Sequence, residues 1–92
     1  MTSIGADIRI RGVVQGVGYR HFCWRHATQM QLTGWTKNLP DGSVVVHVEG
    51  DRGQIEAFLT DIKIGPSHAS VSDVSVTWTP FTGQFQSFEI TR

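Results

Sequence analysis

One cysteine, Cys23, three prolines and no surplus of either charge set the first limits on this 92-residue chain. A lone thiol excludes an internal disulfide framework and any multi-cysteine zinc site. Eight Lys plus Arg offset eight Asp plus Glu, which speaks against a protein that grips a phosphate backbone with clustered cations. Apolar runs stop after a few residues, too short for a transmembrane helix. The opening stretch, Met1 to Gly12, has no basic segment leading into an apolar one, so no secretory signal is expected and the chain is assigned to the cytoplasm. Linkers, repeats and low-complexity tracts are missing too. Two domains would leave about 46 residues each, too few for separate cores without disulfides or metal. The expectation is a single domain over 1–92, with 1–6 as a flexible tail. What is present, 39% hydrophobic and 17% charged residues, is the make-up of an ordinary globule.

Periodicity organises the rest. Asp7 to Val14 alternates, with Ile8 and Ile10 on one face and Arg9 and Arg11 on the other, and predicts a strand. A glycine-bearing loop, Gln15 to Arg20, leads into a helix over 21–31 in which Cys23, Ala27 and Met30 share a stripe, with Gly34 as its stop. Trp35 to Leu39 reads as a second strand, and Pro40-Asp41-Gly42 as a hairpin turn before the alternating run Ser43 to Glu49. Asp51, with Gln54 three residues on, caps a second helix whose Ile55, Phe58, Leu59 and Ile62 give the clearest helical spacing in the chain. Gly65-Pro66 ends it, Val74, Val76 and Trp78 mark a fourth strand, and Phe88 and Ile90 a short fifth. Two amphipathic helices interleaved with strands as β-α-β-β-α-β predict an α+β, ferredoxin-like sandwich. Its antiparallel sheet has four to five strands, with both helices on one face.

That topology brings distant residues together. Strands one and two run the same way with strand three between them, so the loop 15–20 and the far end of strand two meet at one edge. Arg20 and Asn38 then share a neighbourhood. Gly16 and Gly18 permit left-handed backbone, letting successive N–H groups turn inward as an anion nest, and the following helix adds its positive end. Arg20 offers a planar fork for two oxygens of a tetrahedral anion. The loop is no Walker motif, lacking Gly-Lys-Ser/Thr, and no dinucleotide fingerprint, since His21 replaces the third glycine. A cysteine phosphatase would carry its nucleophile where Val14 stands. Cradle and guanidinium without a nucleophile leave water as the acceptor of any phosphoryl group.

Val14-Gln15-Gly16-Val17-Gly18-Tyr19-Arg20 with Phe22, and Gly34-Trp35-Thr36-Lys37-Asn38-Leu39-Pro40-Asp41-Gly42-Ser43-Val44, resemble the paired signatures of the acylphosphatases. Glu49-Gly50 and Phe88-Glu89-Ile90 fit as well, so the resemblance spans nearly the whole chain. It implies hydrolysis of the carboxyl–phosphate bond of small acyl phosphates, with no metal and no cofactor. It also implies Arg20 as the catalytic arginine, Asn38 as the group that orients water, and Gln15, Gly16, Val17, Gly18, Tyr19 and Arg20 as the phosphoryl-binding segment. The family's position after the arginine is often small; here it is His21. Inorganic phosphate and sulfate are expected as competitive ligands of a monomer that engages neither nucleic acid nor membrane.

Competing readings are a phosphoanion-binding module without turnover and a nucleic-acid-binding ferredoxin-like module. The second wants aromatic pairs on the central strands, where this chain has Ile, Arg, Val and His. His21 and His26, about 140° apart around a helix, do not form a ligand pair. Cys23, on the apolar stripe, reads as a small buried hydrophobe. Tyr19 reads as a packed anchor, Thr36 as a strand hydroxyl, and Trp24, Trp35 and Trp78 as packing residues.

Overall fold

Strands expose one side chain to each face at alternate residues, and the even-numbered rows of this chain use that to build a single apolar surface. A computed structural model describes residues 2–92 of the protein. Its elements are β1 (Ser3–Val13), α1 (Tyr19–Gln29), β2 (Thr33–Asn38), β3 (Val44–Asp51), α2 (Arg52–Ile64), β4 (Ser70–Thr79) and β5 (Phe88–Ile90). They form one sheet in the order β4-β1-β3-β2-β5. Ala6, Ile8 and Ile10 of β1 and Val44, Val46 and Val48 of β3 are buried together with Cys23 and Ala27 of α1 and Ile55, Phe58, Leu59 and Ile62 of α2. This is the ferredoxin-like arrangement that the sequence predicts.

Four details differ from the sequence reading. β1 begins at Ser3, not after a six-residue tail, and Ser3 to Ala6 pair with Asp51 to Val48. Ile4 and Ala6 simply continue the inward row of Ile8 and Ile10, a signal muted by the small residues at 5 and 6. Met1, also placed in that tail, lies outside the described residues. Helix α1 starts two residues early and ends at Gln29, because Gln31 itself turns the chain with a φ of 59°. Gly34 is therefore no helix stop. It lies in β2 at a φ of 135°, where an added Cβ would run into the His47 carbonyl.

The fourth difference is that the sheet is mixed. β5 lies parallel to β2, with Thr36 opposite Ile90. The chain leaves β4 at one edge and must reach the far edge, so residues 80–87 cross the open face. Since β4 opposes β1 and β2 runs with β1, the strand after that return runs parallel to β2. The crossing is pinned at Glu49, on the open-face row of the central strand β3. Thr82 N, Thr82 Oγ1 and Gly83 N donate to its carboxylate at 3.2, 2.8 and 3.0 Å. His47 Nε2 stands 3.0 Å from the same carboxylate and its Nδ1 2.6 Å from Asp7.

Candidate active site

The cradle is shaped by backbone conformation before any side chain is considered. Gly16 and Gly18 have φ of 73° and 77°, the left-handed region that costs L-residues energy. A Cβ at either would meet open space, so conformation and not crowding calls for glycine there. Gly18 is the N-cap of α1 and has no side chain to cap the helix. The first intrahelical bond runs from Phe22 N to the Gly18 carbonyl at 3.0 Å, which leaves the amides of Tyr19, Arg20 and His21 unpaired by the helix. No acidic residue sits in the first turn to neutralise them. Free amides, the helix dipole and Arg20 thus concentrate positive potential at one end of α1.

These groups line a cleft of about 200 Å³ formed by Val14, Gly16, Gly18, Tyr19, Arg20, His21, Asn38 and Ile90. Arg20 and Asn38, 18 positions apart, are brought to one cavity by the parallel course of β1 and β2. The guanidinium is held at one edge, where Nη1 donates to the Thr91 carbonyl at 2.8 Å. Thr91 is fixed in turn: its N–H and Oγ1 donate to the Thr36 carbonyl at 2.8 and 3.0 Å. Asn38 closes β2 opposite Val44. Its Oδ1 is buried and has no hydrogen-bond partner among the described residues.

Gln15 and Val17 do not reach the wall of this cleft. Gln15 Nε2 donates to the Leu39 and Ser43 carbonyls, both at 2.8 Å, so its side chain staples the cradle to the β2–β3 turn beside Asn38. Val17 packs on the core. Tyr19 presents its backbone to the cleft while its buried phenol donates to the Ile62 carbonyl of α2 at 2.6 Å. Burial pushes that phenol far above its ordinary pKa, so it moves no proton at neutral pH. Thr36 is buried, with its hydroxyl on the Val45 carbonyl at 3.2 Å. Burial pushes the Cys23 thiol up to about 12, leaving it protonated and inert.

Sequence reasoning missed three wall residues. Val14 and Ile90 enter from strand ends, with only the row of apolar alternation as a signal. His21 was visible as the residue where a third glycine might stand. A second and larger cleft, about 550 Å³, runs between α1 and β5 and is lined by residues including Trp24, Thr28, Gln86 and Phe88.

Comparison with known proteins gives one answer. A family model described as Acylphosphatase matches residues 6–90. A curated acylphosphatase of Chlorobaculum tepidum is 46% identical over 76 residues, 83% of each chain. Another, of Syntrophotalea carbinolica, is 39% identical over 98% of each. The crystal structure of an acylphosphatase from Bacillus subtilis superposes with a TM-score of 0.94 at 34% identity, covering 97% of this chain and 99% of that one.

Proposed function

The chain belongs to the acylphosphatase family, and from that premise we propose how its residues hydrolyse an acyl phosphate. The enzyme cleaves the carboxyl–phosphate bond of a small acyl phosphate, giving a carboxylate and inorganic phosphate. In this reading the amides of the 16–20 segment and the Arg20 fork hold the phosphoryl oxygens. Asn38 accepts a hydrogen bond from water through Oδ1 and points its lone pair at phosphorus. The P–O bond to water forms as the P–O bond to the acyl group breaks; the bonding pair leaves with the carboxylate, and a proton of the attacking water passes to a phosphoryl oxygen, giving dihydrogen phosphate.

The leaving group decides what the site can dispense with. A carboxylic acid has a pKa near ~4, so its anion departs without a general acid. A phosphomonoester must expel a far more basic alkoxide. Positioning and positive charge suffice for the first reaction, because the loose transition state asks for alignment and charge stabilisation above all. This is why we assign the chemistry to Arg20 and Asn38 alone, with no metal or cofactor in any step. We further propose a single-domain monomer of the cytoplasm, inhibited competitively by phosphate and sulfate. No helix among the described residues is long and apolar enough to cross a membrane.

One observation carries the reading: Asn38, whose amide oxygen is buried without a partner among the described residues, lines the same cleft as Arg20 and the first residues of α1. Leaving such an acceptor unpaired costs about 1–3 kcal/mol, which a bound water would recover. Phosphate release from benzoyl phosphate in excess EDTA tests it. Turnover undiminished by the chelator is expected, and loss of activity restored by zinc or magnesium would contradict it.

A further inference from the structure

Asn38 and the phosphoryl cradle belong to different elements, so an attack that joins them needs something to fix the distance between the two. Asn38 Oδ1 has no partner among the described residues, and its aim is therefore set by the backbone behind it. That backbone ends β2 opposite Val44 and then turns through Leu39 to Ser43. Gln15 reaches across to this turn. Its neighbours Val14 and Gly16 line the cleft, and its Nε2 donates at 2.8 Å to both the Leu39 and the Ser43 carbonyl. Leu39 directly follows Asn38 and Ser43 directly precedes Val44, so one amide spans both legs of the hairpin where Asn38 leaves the sheet. The hairpin closes without it. Leu39 N donates to the Ser43 carbonyl at 2.9 Å and Gly42 N to the Leu39 carbonyl at 3.1 Å. Asp41 Oδ1 accepts from Ser43 N and Oγ at 2.9 and 2.6 Å. Each carbonyl thus has a hairpin donor already, and the Gln15 bonds fill second lone pairs. What they add is the place of the hairpin against the cradle.

Resting on the reading in which Asn38 holds the attacking water, we propose that Gln15 is the positioning residue for Asn38, its bridge setting that water at attacking distance from the phosphoryl group. The residue type matches the task. Both targets are acceptors, and a primary amide offers two N–H donors on one atom. A carboxylate there would bring only acceptors. Asparagine, a methylene shorter, cannot keep both contacts from the same backbone. Attack is sensitive to placement, and a shift of about 1 Å can cost about 10²-fold in rate. The β2–β3 ladder and the Asp41 turn also restrain the hairpin, so losing the bridge alone should cost nearer to about tenfold. Phosphoryl binding is spared. Arg20 is held from the other side by the Thr91 carbonyl at 2.8 Å, and the left-handed Gly16 and Gly18 shape the loop through their own backbone.

A double-mutant cycle tests this, with kcat, phosphate affinity and a thermal melt measured for Gln15→Leu, Asn38→Ala and the two combined. Gln15→Leu keeps much of the side chain's bulk and drops its donors. It should remain folded and lose about tenfold in kcat, with KM and phosphate affinity within about twofold of wild type. In the Asn38→Ala background the same substitution should change kcat by less than about twofold, because the group it aims is gone. Gln15→Asn should fall between wild type and Gln15→Leu, and the same cycle on Gln15→Asn decides the matter if Gln15→Leu does not fold. Equal losses in both backgrounds, no loss in the wild-type background, or phosphate affinity falling in step with kcat each overturn the positioning role and leave the acylphosphatase reading standing. An Asn38→Ala protein with full kcat overturns the water assignment itself, and the role of Gln15 with it.

Discussion

Glu49 and Asn38 are polar side chains sunk into the same sheet, and they are treated in opposite ways. Glu49, with no exposed surface, collects Thr82 N, Thr82 Oγ1, Gly83 N and His47 Nε2 within 3.2 Å. Asn38 Oδ1 collects nothing. A buried carboxylate is tolerable only when its lone pairs are matched, and on the open face they are, by a segment whose crossing it fixes. The Asn38 amide oxygen keeps a cost of the same kind uncompensated. Thr79 Oγ1 is also buried and unpartnered, so an orphaned atom alone marks no site. What sets Asn38 apart is the cavity it shares with Arg20 and the free amides. Matched polar burial holds this fold together, and unmatched burial beside positive charge is where we propose that it does chemistry.

The largest expected effect lies on the cleft side. Arg20→Ala should lose about 3 kcal/mol or more of transition-state stabilisation, the scale of removing one oxyanion donor, and should also weaken phosphate binding in calorimetry. Arg20→Lys should restore little, because a point charge cannot replace the fork. Unchanged phosphate affinity in Arg20→Ala would take the guanidinium out of the cradle.

On the open face the loss should fall on stability. Glu49→Ala leaves two amides, a hydroxyl and His47 facing a void. It should cost about 3 kcal/mol, a drop in Tm on the order of 15 °C for a chain this short. The folded fraction should keep its kcat. A large fall in kcat with little change in Tm would erase the distinction between the two regions.

The smallest effect is a pH dependence of that same network. Burial pushes the Glu49 carboxyl up, but hydrogen bonds from His47, Thr82 and Gly83 outweigh it and leave the group below the ordinary carboxylate range. Burial lowers His47, while hydrogen bonds to Asp7 and Glu49 outweigh it and raise the imidazole above its ordinary value. The Glu49 contribution is present above the unfolded pKa of about 4.3 and lost as pH falls through the lower folded value. The His47 contribution is complete below about 6.5 and lost as pH rises through the higher folded value. Stability should therefore peak in mildly acidic solution and decline a few degrees in Tm towards pH 8. In His47→Gln the alkaline decline should be absent; an unchanged pH profile would show that the imidazole carries no charge in the network.

Much of this was legible in the sequence, for reasons tied to particular residues. Both helices and the inner rows of β1 and β3 follow from apolar spacing, and the meeting of Arg20 with Asn38 follows from strand direction. The parallel course of β5 was not legible, because it depends on where 80–87 crosses the sheet, and that is set by Glu49, 33 positions upstream of Thr82. The roles of Gln15 and Tyr19 were half legible. Of the two only Tyr19 lines the cleft, and the carbonyls that engage their side chains, those of Leu39, Ser43 and Ile62, are distant in sequence. Gln31 misled because its left-handed turn has no glycine to announce it.

Asn38→Ala puts the central claim to the most direct test, by steady-state kinetics, phosphate titration and a thermal melt on one preparation. In the proposed mechanism Arg20 and the amides hold the phosphoryl group in ground and transition states alike, whereas Asn38 holds the attacking water. Losing a contact that matters chiefly in the transition state lowers kcat with little change in KM. The expected result is a fall in kcat of roughly 10²-fold or more, with phosphate affinity near wild type and the melt preserved or raised now that the unpaired oxygen is gone. A variant that melts early yet retains full kcat in its folded fraction would show that Asn38 only shapes the end of β2, and would contradict the account.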